Sequence, residues 1–280
     1  MIPYPQIDPV IFRIGPLEPR WYGLMYLLGF LYTFRLLKKN YKWMGLKTAD
    51  NADSILAILV VGLIVCARLV YVVFYNLEGT LQGPWYEPFA VWHGGLAFHG
   101  GLLGVVLASV YAARKYQISW LRLTDVLALA TPVGLGLGRI ANFINGELWG
   151  RPTDLPWGMV FPGAGLMPRH PSQLYEALLE GLLLFVILHL LWRLKPRVGV
   201  VSATFVLGYS VLRTLVEFVR EPDVQVGFVL GPFTMGQLLS FAMFLFGVSL
   251  LAYALKRGEP FEPAAVTESS VDPKKKKKKK

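Results

Sequence analysis

Arg139, Asn142, Asn145 and Glu147 fall in one short run, Gly138 to Gly150, and Arg213 lies in a second; both sit in or beside segments otherwise apolar enough to cross a bilayer. A charged side chain near the middle of a membrane helix costs roughly 2.5–3.5 kcal/mol on insertion scales, so it is normally kept for a task. Arginine presents a fixed fork of donors that matches phosphate or carboxylate, which makes the expected task anion binding. Arg139 and Asn142 are three apart and share a helix face, with Glu147 just beyond its end. Arg213 and Glu217 are four apart, a spacing that equally suits an internal ion pair.

His99 lies between two glycine pairs, which permit close approach by a helix or a ligand. Tyr22 and Tyr26 stand in the outer half of the first apolar stretch. Arg68 is read as structural, pairing with an acidic neighbour or snorkelling outward. At 1.5 Å per helical residue, Arg139 and Arg213 lie ~9 Å, and Arg68 and His99 ~10 Å, below the outer ends of their spans. Five helices are thus expected to bring polar groups to one level. In the run from Pro168 to Glu176, Ser172 or a neighbour is expected to cap a helix, with Glu176 in its first turn favouring the dipole and His170 at the outer surface.

The elements that must hold these groups are membrane helices. The chain is 54% hydrophobic and only 16% charged, whereas a soluble domain carries charge on about a quarter of its residues. About 20 apolar residues cross the hydrocarbon core, and seven stretches qualify: 18–37, 53–75, 92–113, 124–145, 172–192, 199–219 and 233–255. The expected fold is all-α and polytopic, with about seven transmembrane helices and an outward-facing loop region. Residues 1–257 form a single transmembrane domain in this reading, and 258–280 a disordered polar, Lys-rich tail. Basic residues gather after the first, third, fifth and seventh stretches, while 76–91 has none, so the amino terminus is expected outside and the carboxyl terminus in the cytoplasm. The connection from Gly146 to His170 is long for a compact protein and is expected to be ordered.

The net charge of +10 comes from 28 basic and 18 acidic residues; Lys274–Lys280 supplies seven of the positives. Without that run the excess is +3 (10 less 7), too small to indicate nucleic acid. Cys66, the single cysteine, lies in an apolar run and is expected to serve packing, so any cysteine chemistry needs a partner's sulfur.

The run Gly138–Gly150 resembles the signature of the bacterial prolipoprotein diacylglyceryl transferases. The resemblance extends to Trp21–Tyr26, Phe98–Gly101, Arg169–Glu176, Arg213–Arg220 and Met235–Gln237, in family order across about residues 4–257. It implies an enzyme of the bacterial inner membrane that moves an sn-1,2-diacylglyceryl group from phosphatidylglycerol to the lipobox cysteine of a preprolipoprotein. A thioether forms and glycerol phosphate leaves. His99, Arg139, Asn142, Glu147, Arg213 and Tyr22 are then the expected catalytic residues, and Arg139, Arg213, Gly150, Tyr26, Glu217 and Arg220 the substrate-binding ones. A free thiol has a pKa of about 8.5 and needs a base, for which His99 and Glu147 both qualify. The arginines would stabilise charge on the departing phosphate. No cofactor or metal is expected.

Two other classes compete. An intramembrane protease needs a nucleophile and base or an aspartate pair at depth, and Asp125 stands near the cytoplasmic end of its span with no partner at that level. An anion transporter would continue its polar residues to the cytoplasmic face, whereas the inner halves of these spans read as almost wholly apolar.

Overall fold

The computed structural model describes residues 2–15, 17–221, 228–230 and 233–264. The expected Lys274–Lys280 tail lies outside them. The described chain is mostly helical. Its long helices are α1 (Trp21–Lys39), α2 (Asp50–Tyr75), α3 (Phe98–Tyr116), α4 (Trp120–Asn145), α5 (Ser172–Arg193), α6 (Val200–Glu217) and α7 (Met235–Arg257). Five of them, α2, α4, α5, α6 and α7, are long and apolar enough to cross a membrane. The protein is therefore a polytopic membrane protein. α1 and α3, at 19 residues each, are helices outside that set. A short hairpin pairs Phe228 with Thr234 and Leu230 with Phe233.

The chain divides into two compact units, Met1–Leu36 with Asp125–Phe261, and Leu37–Thr124 with Glu262–Lys280. The first unit inverts the distribution of a soluble domain. Glu176, Glu180, Arg213, Glu217 and Asn142 are buried, while Leu178, Leu182, Leu215, Phe241 and Phe246 are exposed. Ionisable residues are almost never fully buried unless paired, and apolar side chains face outward without penalty when the solvent is lipid.

Two features of this unit bring α4 and α5 together. α5 changes register, α-helical at Ser172–Glu176, π-helical at Ala177–Leu183 and α-helical again to Arg193. Its Gly181 meets Gly136 of α4 backbone to backbone: a Cβ on Gly136 would lie 3.1 Å from the Gly181 Cα, and one on Gly181 2.7 Å from the Gly136 Cα. Arg139 follows Gly136 by one turn and so arrives beside the first turns of α5. At the other end of α4, Asp125 is buried and accepts from the Gly199 amide (2.6 Å), the Ser202 amide (2.7 Å) and the Ser202 hydroxyl (2.6 Å). It acts as the missing cap of α6, supplied from another helix. The groups that meet Asp125 here are thus the amide end and a serine of α6, which engage both of its oxygens. Tyr32 and His189 also meet, at 2.8 Å, so this part of the unit is less apolar than expected.

The connection from Gly146 to His170 is folded, as expected. Phe143, Met159 and Phe161 form a small core with Tyr4 and Trp149 against it, and the Tyr4 hydroxyl donates to the Phe143 carbonyl at 2.6 Å. Backbone bridges join Met159 and Pro152 to Arg169, and Gly150 to Arg220.

In the second unit α2 packs on α3 through small residues. A side chain at Gly104 would collide with the Gly62 carbonyl, and one at Gly100 would meet the Cys66 carbonyl at 2.5 Å. Cys66 thus belongs to a close helix crossing, which is the packing role expected of it. α3 begins at Phe98, later than the apolar run that starts near residue 92, because Gly94 and Gly95 adopt positive φ (83° and 75°). His99 is therefore the second residue of its helix, exposed, and not two turns deep. Arg68 is structural: Nη1 donates to the Gly94 carbonyl (2.6 Å), Nε to that of Pro88 (3.1 Å) and Nη2 to that of Glu87, whose carboxylate is 3.5 Å away.

Residues 258–264, placed in the tail by composition, make specific contacts. The Val198 amide donates to Glu259, Phe261 packs edge-on to Trp192 at 4.7 Å, and Arg122 donates to the Glu262 carbonyl at 2.6 Å.

Candidate active site

Arg139 and Arg213 converge on one carboxylate. Arg139 Nε lies 2.5 Å from Glu176 Oε2, and Arg213 Nη1 lies 2.6 Å from Glu176 Oε1. Arg213 Nη2 holds Glu217 at 2.8 Å, so the i,i+4 ion pair allowed by spacing is present. Arg220 completes the group, 3.7 Å from Glu176 and 3.9 Å from Glu217. Glu180, one helical turn beyond Glu176, lies 3.8 Å from Arg213. The three carboxylates are buried to 3% exposure or less, whereas the Arg139 side chain is 19% exposed. Because Arg139 turns its Nε toward Glu176, its two terminal nitrogens have no partner among the described residues. They form a free donor fork on the open side of the cluster.

Glu217 is held from a third direction. The Thr234 hydroxyl donates to its Oε1 at 2.9 Å, and Thr234 also opens α7 in a capping box with Gln237. A Cβ on Gly236 would fall 2.8 Å from the Glu217 carboxyl carbon. The Met235–Gln237 motif thus seats a helix end against an acidic side chain.

A second group lies at the end of α4. The Asn142 and Asn145 amides donate to Glu147 Oε1 at 2.8 and 3.1 Å, leaving its other oxygen without a hydrogen bond among the described residues. Gly146 and Leu148 turn through positive φ (67° and 58°), which for leucine is a strained conformation. Gln173 Nε2 donates to the Glu147 carbonyl at 2.6 Å and the Ser172 hydroxyl to that of Leu148 at 3.1 Å. The cap position of this helix falls to Pro171, the neighbour of Ser172, and carries no side-chain bond. Gly150 is explained by crowding, since a Cβ would meet the Val219 carbonyl at 2.5 Å and His170 at 2.7 Å. The Tyr22 and Tyr26 rings meet at a tilt of 42°, with centroids 5.2 Å apart, and Tyr26 lies within the field of Arg139.

At the first turn of α5, His170 Nδ1 lies 3.2 Å from the Tyr175 hydroxyl, which already accepts from Trp157 Nε1 at 2.7 Å. Desolvation pushes the His170 pKa down. The Tyr175 proton is free to be donated to an unprotonated Nδ1, so the relay needs a neutral imidazole.

The structure thus gathers Arg139, Arg213, Glu217 and Arg220 in one unit with Asn142 and Glu147, while His99 is carried by the other unit. Sequence reasoning gave Glu176 too small a part and passed over Glu180. The available signal was two carboxyls four residues apart in an apolar span.

The family description Prolipoprotein diacylglyceryl transferase matches residues 9–253. The chain belongs to the prolipoprotein diacylglyceryl transferase family. It is similar to phosphatidylglycerol–prolipoprotein diacylglyceryl transferases across nearly their whole length. Identity is 54% to that of Geobacter sulfurreducens, covering 91% of this chain and 98% of the relative. It is 50% to that of Vibrio vulnificus (92% and 95%) and 49% to that of Nitrosomonas europaea (95% and 96%). Within this transferase family member, the buried ion cluster lies inside the matched span.

Proposed function

We propose that this chain transfers the sn-1,2-diacylglyceryl group of phosphatidylglycerol to the lipobox cysteine thiol of a preprolipoprotein. The thiolate sulfur attacks the glyceryl carbon that bears the phosphate. The carbon–sulfur bond forms, the carbon–oxygen bond breaks, and its electron pair leaves on glycerol phosphate. The observation that carries this reading is the free donor fork of Arg139, fixed through its Nε to the same carboxylate that holds Arg213. A preorganised cation costs no reorganisation as charge grows on the leaving phosphate.

Arg139 and Arg213 are assigned to the phosphate, Asn142 to orienting Glu147, and Tyr22 and Tyr26 to the approach of the lipid. Glu217 and Arg220 hold the arginines in place. Glu147, with one oxygen unengaged, and His99, by residue type, are the two candidates for the thiol proton. The protein is assigned to the bacterial inner membrane, with α1 and α3 as further spans beside the five, the amino terminus outside, and residues 1–257 as the catalytic domain.

The test is transfer of labelled diacylglyceryl from phosphatidylglycerol vesicles to a lipobox peptide. Arg139→Ala is expected to lower kcat about 10²–10³-fold, the scale seen when one donor to a developing oxyanion is removed. Transfer at close to the parent rate would overturn the assignment.

A further inference from the structure

Ser172 and Gln173, the first two residues of α5, are fully buried, and their side chains grip two consecutive carbonyls of the loop that follows α4. The Ser172 hydroxyl donates to the Leu148 carbonyl (3.1 Å) and Gln173 Nε2 to the Glu147 carbonyl (2.6 Å). Within this loop the chain turns at Gly146 and Leu148, both at positive φ. Such a conformation in a leucine persists only where the surroundings over-determine it, and here two side-chain donors do so. Glu147 is thereby held on both sides of its backbone and at one carboxylate oxygen. Its amide donates to the Asn142 carbonyl (3.1 Å), its carbonyl accepts from Gln173, and its Oε1 accepts from Asn142 and Asn145.

The Gln173 amide is a costly way to fill this space. Its Oε1 is buried without a hydrogen bond among the described residues. An unpaired polar atom of that kind costs stability, whereas an apolar side chain of the same length does not carry that cost. What the amide supplies is one donor aimed at the backbone of Glu147. Three residues on, and on the same helix face, Glu176 holds Arg139 and Arg213. One turn of α5 thus sets both halves of the site in register, the guanidinium groups through Glu176 and the Glu147 carboxylate through Gln173. We propose that Gln173, assisted by Ser172, is a positioning residue that fixes the Glu147 carboxylate relative to Arg139 by gripping its backbone. This rests on Glu147, rather than His99, taking the thiol proton in the proposed reaction.

Gln173→Met, which keeps the length and removes the donor, tests it in two ways. Hydrogen–deuterium exchange of the peptide spanning 146–150 is expected to quicken about 2–10-fold, the scale of one lost hydrogen bond, while α6 and α7 keep parent rates. In diacylglyceryl transfer kcat is expected to fall about 10–10²-fold, as misplacement of a reacting group does, with KM for phosphatidylglycerol unchanged. Because Gln173 acts through Glu147, the same substitution in a Glu147→Gln background is expected to cost no more than about twofold further. Parent exchange in that peptide, a loss carried by KM, or the full loss repeated in the Glu147→Gln background overturns the proposal. Ser172→Ala removes the neighbouring donor with little change of shape and is expected to move exchange and kcat the same way by a smaller factor. Should Gln173→Met fail to accumulate in the membrane, Ser172→Ala decides by the same criteria. If Glu147→Gln transfers at the parent rate while the exchange result holds, the proposed role of Glu147 fails and the grip on its backbone stands.

Discussion

Glu176 is the residue on which the cluster turns, since its two oxygens bind guanidinium groups from two different helices. Removing one partner of a buried ion pair costs about 3–5 kcal/mol, mostly from the charge left behind. Glu176→Ala is therefore expected to unfold at markedly lower temperature in detergent and to lose transfer; a parent-like melting curve would contradict the shared ion pair. His170 gives a separate expectation. Its folded pKa is lowered by burial, so the unfolded chain takes up a proton first, near its usual value of about 6.5. Stability is unaffected above that value, falls as pH drops through it, and stops falling below the folded pKa. Melting temperature against pH should show this slope in the parent and lose it in His170→Gln. At this scale Arg139, Arg213 and Glu217 were legible, because cations in apolar runs announce themselves. Glu176 was misjudged as a helix-dipole residue, since its true neighbours come from α4 and α6 and leave no trace in local spacing.

Among the elements, the joint between α4 and α6 is held by a carboxylate rather than by apolar packing alone. Asp125→Ala would remove the acceptor of two buried amides and a hydroxyl, a loss of about 1–3 kcal/mol or more. Thermal unfolding should register a loss of that size, whereas an unchanged midpoint would mean that α6 finds another cap. Five of the long helices, α2, α4, α5, α6 and α7, follow from apolar runs of sufficient length. Their ends were harder to read. Residues 92–97 are apolar enough to extend α3, yet the positive φ of Gly94 and Gly95 turns the chain there, and the depth inferred for His99 was lost with that turn. The π-helical register of α5 had no sequence counterpart either, since hydrophobic periodicity is blind to one residue gained within a turn.

For the molecule as a whole, composition established a membrane protein but not its division into two units, whose boundaries at Leu36 and Thr124 fall inside α1 and α4 where no change of composition occurs. Residues 258–264, which composition gave to the tail, make contacts with Val198, Trp192 and Arg122. A chain ending at Ala264 is expected to keep parent-like transfer and melting temperature. One ending at Arg257 loses the partners of Val198, Trp192 and Arg122 and is expected to be less stable by about 1–3 kcal/mol. Equal stability of the two truncations would return residues 258–264 to the tail. The double grip on Glu176 reaches beyond energetics, into the routes by which such a protein could diverge. An exchange at Arg139 or Arg213 leaves the buried Glu176 carboxylate with one guanidinium fewer, so a step by which a lineage alters its headgroup preference through these arginines carries a cost in folding as well.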